Sequence, residues 1–314
     1  MLTPSFHDLN HQYVHEALKG KASQRFYLRL YAQYFGSWSE HPDKKTIRDW
    51  HRSKASTPAH ANKGLGYLKA LYNWAINEDL WSDANPASGI RRHATYDRER
   101  TMTNRELTVL MNALDMLFWK QRALLIVLLT TGCRLTEACS MEWTHIDLQA
   151  NSWTKPKTKN GRPHRIPLPS QTCAALDALP RKGRYVLMRA YDQHFSRAAA
   201  EKMWGIVRRS EFLPTDKWPA LRMPDVRLHD FRRTVASRLL DQGEPELLIK
   251  SVLNHHKGDV TAIYARSSFD KQAAALQKHA DELWVLLKEV HDDSQHSLPF
   301  AVSQPVSLHY SQPA

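Results

Sequence analysis

The chain has 314 residues, 42% of them hydrophobic, which is enough for two domains with real cores and excludes a disordered or fibrous polymer. Lys and Arg number 44 against 32 Asp and Glu, a formal charge of +12, which points to a polyanionic partner, most often nucleic acid, with a merely basic soluble protein as the alternative. The opening MLTPSFHDLN has no apolar signal core, the aliphatic run ALLIVLL at 123–129 is far too short to span a bilayer, and scarce cysteine fits a reducing cytoplasm.

Residues 1–92 read as helices broken by polar turns. SQRFYLRLYAQYFGSW places Phe26, Leu30 and Tyr34 at helical spacing, and NKGLGYLKALYNWAINEDLW places Leu65, Leu68, Tyr72 and Ala75 on one stripe. Such stripes are core more often than binding faces, yet the interleaved Arg25, Arg29, Lys63 and Lys69 can track phosphates. SDANPASGIRRHATYDRER at 82–100 gathers turn residues and marks a linker, with the boundary near 93–101.

Beyond the linker, Thr103 is placed to cap a helix with Glu106 as its reciprocal partner. QRALLIVLLTTG is a buried helix ended by Gly132. In TTGCRLTEACSMEW, Arg134 follows that glycine and Glu137 stands three residues on, either an ordinary ion pair or a brace for the guanidinium. Cys133 and Cys139, in apolar helical context, read as packed thiols without metal spacing. WTKPKTKNGRPHRIPLP carries Asn160-Gly161, a tight-hairpin signal between extended flanks. Lys155, Lys157, Lys159, Arg162 and Arg165 fall in that stretch without an acid, which favours phosphate contacts over a balanced solvated surface.

In VRLHDFRRTVASRLLDQG, Phe231, Val235 and Leu239 form the buried stripe of a helix closed by Gly243, and His229 and Arg232 neighbour one another on its flank. That pair is either a satisfied histidine beside a solvated arginine or an oxyanion site. His255 and His256 in SVLNHHKGDVTAIYARSS lack a third metal ligand at helical spacing, and Tyr264 is either a packed tyrosine or a nucleophile. DKQAAALQKHADELWVLLKEV is a late amphipathic helix whose Leu276, Ala280, Leu283 and Leu287 pack on its own domain or on a neighbouring protomer. The Ser-, Gln- and Pro-rich 292–314 is expected to be disordered or loosely docked.

Taken in order, these segments resemble the tyrosine recombinases, the phage-type integrase family. TGCRLTEACSMEW resembles its first arginine box, TKNGRPHRIPL its lysine hairpin and LHDFRRTVASRLLDQG its His-x-x-Arg box. VLNHHKGDVTAIYAR resembles its last box, with His255 nine residues before Tyr264. The resemblance covers roughly 100–290 and, more loosely, 20–92. It implies a mainly α fold with a small β-sheet and hairpin in the catalytic domain, and a two-domain C-shaped DNA clamp. The division expected is 1–95 as a helical core-site-binding domain, 96–291 as the catalytic domain and 292–314 as a tail. One departure is Asn254, where many members have glycine before the histidine.

The resemblance further implies Arg134, Lys159, His229, Arg232, His255 and Tyr264 as the active set, with Glu137 in support, while the charge pattern alone places Lys155, Lys157, Arg162, Arg165, Arg25, Lys63 and Lys69 on DNA. In such a set two guanidiniums clamp the non-bridging oxygens where charge develops, without a metal or other cofactor. Tyr264 attacks with help from His229, Lys159 protonates the leaving 5′ oxygen, and His255 donates to a phosphate oxygen. The expected partners are double-stranded DNA, a homotetramer on the recombining sites, and an excisionase or DNA-bending protein. No arm-site-binding domain is expected ahead of the core-binding helices, and the place of action is the cytoplasmic nucleoid. The leading expectation is the recombinase of a phage or other mobile element. The alternatives are a resolvase-type housekeeping recombinase, a type IB topoisomerase and a non-catalytic DNA-binding regulator.

Overall fold

Polar side chains decide where the first helices start. In a computed structural model, which describes residues 3–21, 23–156, 158, 163–189, 192–209, 223–254 and 269–288, Ser5 accepts from the Asp8 amide ahead of α1 (Phe6–His15). Asp43 does the same for α3 (Lys44–Ser53) through Thr46, at 2.7 Å, and Pro58 opens α4 (Pro58–Asn77). The chain divides into two compact units, Met1–Arg98 and Glu99–Ala314.

In the first unit, Leu65, Leu68, Tyr72 and Ala75 of α4 are fully buried, as their spacing predicts. In α2 (Gln24–Tyr34) the buried ridge differs from the expected one. It centres on Leu30 and Tyr31, flanked by the partly buried Tyr27 and Tyr34 in the i, i+3, i+4, i+7 series, and leaves Phe26 40% exposed. The Lys63 ammonium sits 5.6 Å from the Phe26 ring centroid. His93, within the linker, stacks on His51 at 3.9 Å and donates from Nε2 to the His51 carbonyl, which ties that segment to its own unit.

The second unit begins with α5 (Asn104–Ala113). Its start is the reciprocal cap read from sequence: Thr103 Oγ1 accepts from the Glu106 amide, and Glu106 Oε2 accepts from the Thr103 amide at 2.8 Å. At the centre lies α6 (Trp119–Thr131), buried at every position from Ala123 to Thr131. A helix apolar all round must be surrounded, and α7 (Leu135–Cys139), α8 (Ser170–Asp177), α10 (Leu228–Asp241) and α12 (Phe269–Lys288) pack against it. The sheet is antiparallel in the order β1 (Ile146–Asp147), β2 (Ser152–Lys155), β3 (His164–Pro167). Trp153 opposes Ile166 in the core and Lys155 opposes His164; the expected hairpin tip at Asn160-Gly161 lies outside the described residues.

Two further helices, α9 (Arg197–Val207) and α11 (Glu246–Val252), complete the shell. In α10 the stripe of Phe231, Val235 and Leu239 is fully buried, and Gly243, at φ +83°, closes the helix. Along α12, Leu276, Ala280 and Leu283 are buried against its own unit, on α5, α10 and β3. His279 on the same helix donates from Nε2 to the Leu129 carbonyl at 2.8 Å, and burial pulls its pKa down to about 4. The expected tail 292–314 lies outside the described residues. Among the described residues no helix is long and apolar enough to cross a membrane.

Gly132 ends α6 in the left-handed region, at φ +59°. A Cβ there would stand 2.8 Å from Leu253 Cδ2 and 3.1 Å from Val235 Cγ1, so side chains of α10 and the end of α11 close directly onto its backbone. Gly132→Ala therefore loses on both backbone conformation and packing. The expected cost in denaturant unfolding is roughly 2–4 kcal/mol, and a change below about 0.5 kcal/mol would contradict this packing.

Candidate active site

The site forms where the α6–α7 corner, α10, β2 and the end of α11 meet. Arg134 is the N-cap residue of α7, and Glu137 is its third helical residue. Glu137 Oε2 accepts from the Arg134 backbone amide at 3.2 Å, and Oε1 accepts from Arg134 Nη1 at 3.0 Å. The brace suspected from sequence is therefore a cap and an ion pair at once. The other nitrogen, Arg134 Nη2, donates to the Asn254 carbonyl at 3.3 Å.

Arg232 is 5% exposed. Its Nη1 donates to the Gly132 carbonyl at 2.8 Å, and its Nη2 donates to the Leu253 carbonyl. The two guanidiniums, far apart in sequence, thus hang on successive carbonyls at the end of α11. This is possible because the chain turns there: Leu253 is right-handed at φ −79°, and Asn254 is left-handed at φ +52°. Glycine adopts the left-handed region without penalty, and asparagine is the side chain that best tolerates it. The departure at Asn254 is thus a residue that tolerates the left-handed conformation this turn requires. A further bond, His164 Nε2 donating to the Ser251 carbonyl at 3.0 Å, ties β3 to the same helix end.

Electrostatics sharpen the picture. Burial, and then the Arg134 charge, pull the Arg232 pKa down to about 10, which leaves it protonated at neutral pH. Burial pushes the Glu137 carboxyl upward, but the Lys155 ammonium and Arg134 outweigh it and hold it below the usual carboxylate range. Cations thus outnumber the one carboxylate, and a phosphate entering between the guanidiniums relieves their repulsion.

His229 sits on the exposed side of α10. Packing around its ring, then Arg233 and Arg232, hold its pKa below the ordinary value, so at neutral pH it is a neutral imidazole able to accept a proton. Sequence reasoning missed Asp230, fully buried between these two: it accepts from the Arg227 amide at 2.8 Å and from Arg233 Nη1 at 2.9 Å, fixing the start of α10. Cys133 is a packed thiol, as expected, pushed up to about 11 by burial. Among the described residues no cluster of three His, Cys, Asp or Glu side chains could hold a metal ion.

The basic stretch of the hairpin divides. Lys155, expected on phosphate, is 4% exposed and its Nζ lies 3.0 Å from Glu137 Oε2; an enclosed, paired ammonium does not reach an outside backbone. Arg165 is exposed, stacked over the Phe269 ring at 4.3 Å with Nη2 on Ser152 Oγ. Lys157, Lys159, Arg162, His255 and Tyr264 lie outside the described residues. In the first unit, Arg25 and Lys63 are exposed and Lys69 is half-buried. Lys63 also lines an open groove of about 360 Å³ with Tyr27, Asn62, Gly66 and Arg92.

Comparison with known proteins bears on the family and the fold. Residues 100–271 match the Phage integrase family. The chain is 21% identical over 260 residues to Tyrosine recombinase XerA of Pyrococcus furiosus, covering 79% of this chain and 85% of the relative. It is 25% identical over 210 residues to an integrase of Haemophilus phage HP1, covering 66% of this chain and 56% of that one. Its fold resembles that of a lambda integrase tetramer bound to a Holliday junction, with a TM-score of 0.64 at 16% identity, over 82% of this chain and 79% of the other.

If the left-handed turn at Asn254 sets the two carbonyls, the residue there is judged by backbone conformation. Asn254→Gly is expected to stay within about 1 kcal/mol of the parent, whereas Asn254→Val loses about 1–2 kcal/mol or more. Denaturant midpoints check this, and equal stability of the two variants would remove the conformational argument.

Proposed function

The chain belongs to the phage integrase family, and from that premise we propose that it is a site-specific recombinase that cuts and rejoins double-stranded DNA through a 3′-phosphotyrosine on Tyr264. The observation that carries this reading is the pair of guanidiniums bound to the Leu253 and Asn254 carbonyls, immediately before His255. Whatever anchors the final box in sequence thereby anchors the phosphate-binding charges.

The chemistry balances without a high-energy cofactor. The Tyr264 phenol loses its proton to His229, directly or through water, and the oxygen attacks the scissile phosphorus. The bond to the 5′ oxygen breaks, Lys159 gives that oxygen a proton, and one phosphate ester replaces another. Arg134 and Arg232 bind the non-bridging oxygens, where the five-coordinate transition state gathers negative charge, and His255 donates to one of them. A 5′ hydroxyl from another duplex then reverses the step, which is strand exchange.

In this reading the first unit grips the core site through Arg25, Lys63 and Lys69, and the second binds DNA through Arg165, Lys157 and Arg162. The lambda integrase tetramer on a Holliday junction, which shares the fold, supports assembly of four copies on DNA. The enzyme acts at the nucleoid, with an excisionase or bending protein as accessory. A phage or other mobile element is the source we favour, in line with the integrase of phage HP1. A housekeeping recombinase is the second reading, favoured by the fuller match to XerA of a cellular organism.

The test is a nicked suicide duplex built on sites footprinted in DNA flanking the gene. The wild-type chain is expected to give a covalent band on a denaturing gel, and Tyr264→Phe none, with DNA affinity within a few-fold because one hydroxyl is lost among many Lys and Arg phosphate contacts. An adduct formed by the Phe variant would remove Tyr264 from its role. A wild-type chain that binds the sites without any adduct would be a regulator. Binding should also weaken steeply with salt, as expected for many phosphate contacts.

A further inference from the structure

Lys155 has no part in the chemistry just described, yet it occupies a guarded position. On β2 it lies two residues from Trp153 and so points to the same, inward face, while Thr154 and its cross-strand partner Arg165 point out. A lysine meant for DNA belongs at an outward position. Lys155 instead buries its ammonium between the Trp153 ring, 5.0 Å away, and Glu137 Oε2, 3.0 Å away. Such burial is costly unless the charge is used or fully paired.

We propose that Lys155 is a positioning residue for strand breakage: its ammonium keeps Glu137 ionised and fixed, so that Glu137 holds Arg134 without cancelling the positive charge offered to phosphate. Charge counting supports this. Glu137 is faced by Arg134 from its own helix cap, Lys155 from β2, Arg232 from α10 and the buried Cys133 thiol from the α6–α7 corner. With Lys155 the two arginines and the lysine exceed the carboxylate by two charges. Without it the excess is one, and the largely buried carboxylate has its second oxygen bonded to the Arg134 amide alone. Protonation of Glu137 then becomes easier, and a protonated Glu137 is a poor anchor for a guanidinium. The inference rests on the recombinase reading for the reaction it serves, but the state of Glu137 can be read without any reaction.

Two measurements on Lys155→Met, Lys155→Arg, Glu137→Gln and the Met/Gln double variant decide it. In carbon-13 spectra, with the Glu137 carboxyl assigned by its loss in Glu137→Gln, the Lys155→Met variant is expected to raise the Glu137 pKa by about 1–3 units. In single-turnover cleavage of the suicide duplex, Lys155→Met is expected to be about 10- to 100-fold slower at unchanged DNA affinity. The deficit grows as pH falls, larger at about pH 5.5 than at about pH 8, because ionised Glu137 is lost as pH drops through its raised pKa. Lys155→Arg restores most of the rate. On the Glu137→Gln background, Lys155→Met costs little more, since both act through one contact. An unmoved Glu137 titration, a wild-type cleavage rate in Lys155→Met, or independent losses in the double variant would overturn the proposal. Should Lys155→Met not fold, the double variant, which removes both buried charges, is compared with Glu137→Gln alone: matching cleavage rates support the proposal and a further loss overturns it. A wild-type chain that makes no adduct defeats the recombinase reading and this role with it, whereas adduct formation indifferent to Lys155 defeats only this inference.

Discussion

Two positive charges held on neighbouring peptide carbonyls organise the catalytic unit. Guanidiniums repel, and burying one of them beside the other is unfavourable in water-poor surroundings. Hydrogen bonds from Arg232 to Gly132 and Leu253, and from Arg134 to Glu137 and Asn254, engage each terminal nitrogen once and fix both guanidiniums while leaving net positive charge. Neutral carbonyl dipoles are suited to this, since carboxylates in their place would quench the charge. In the recombinase reading proposed above, these charges are oriented before substrate arrives, which is where electrostatic catalysis gains most.

The surrounding fold can be understood as what this arrangement requires. The wholly apolar α6 ends at a glycine because Leu253 and Val235 pack onto that point and Arg232 reaches its carbonyl. Helix α11 ends in a left-handed asparagine because two successive carbonyls must serve two different arginines. Asp230 pins the start of α10, so Arg232 projects from a fixed turn while His229 stays outside on the open flank. Strand β2 delivers a lysine inward to balance the single acid. The positive φ values at Gly132 and Asn254, the buried charges and the capped corner of α7 all sit within reach of the same two guanidiniums.

Much of this is legible in the residues, and the exceptions are physical. The reciprocal cap at Thr103 and Glu106, the buried run of α6 and the stripe on α10 follow from spacing alone. Side-chain members of the site are named by the resemblance of the four boxes to the family, since read singly Arg134 with Glu137 and His229 with Arg232 fit ordinary ion pairing and packing as well. The ridge of α2 misleads because its aromatics lie on two overlapping helical series, and only tertiary packing chooses Tyr27 over Phe26. Lys155 misleads because composition reports how many cations a hairpin carries and not which face each occupies. The carbonyls of Gly132, Leu253 and Asn254 have no sequence signature, since every residue carries one. The glycine and the asparagine at the two turns are the hints that the chain offers.

The central claim, that the two arginines act on charge developing at the non-bridging oxygens, is tested most directly by removing that charge from the substrate. Single-turnover cleavage is compared on a suicide duplex with a phosphate and on one with a neutral methylphosphonate at the scissile position. On phosphate, Arg134→Ala or Arg232→Ala is expected to slow cleavage by about 10²-fold or more; on methylphosphonate the same variants should fall within about tenfold of the parent chain. Equal losses on both substrates would contradict the account, because the arginines would then be needed for something other than opposing negative charge.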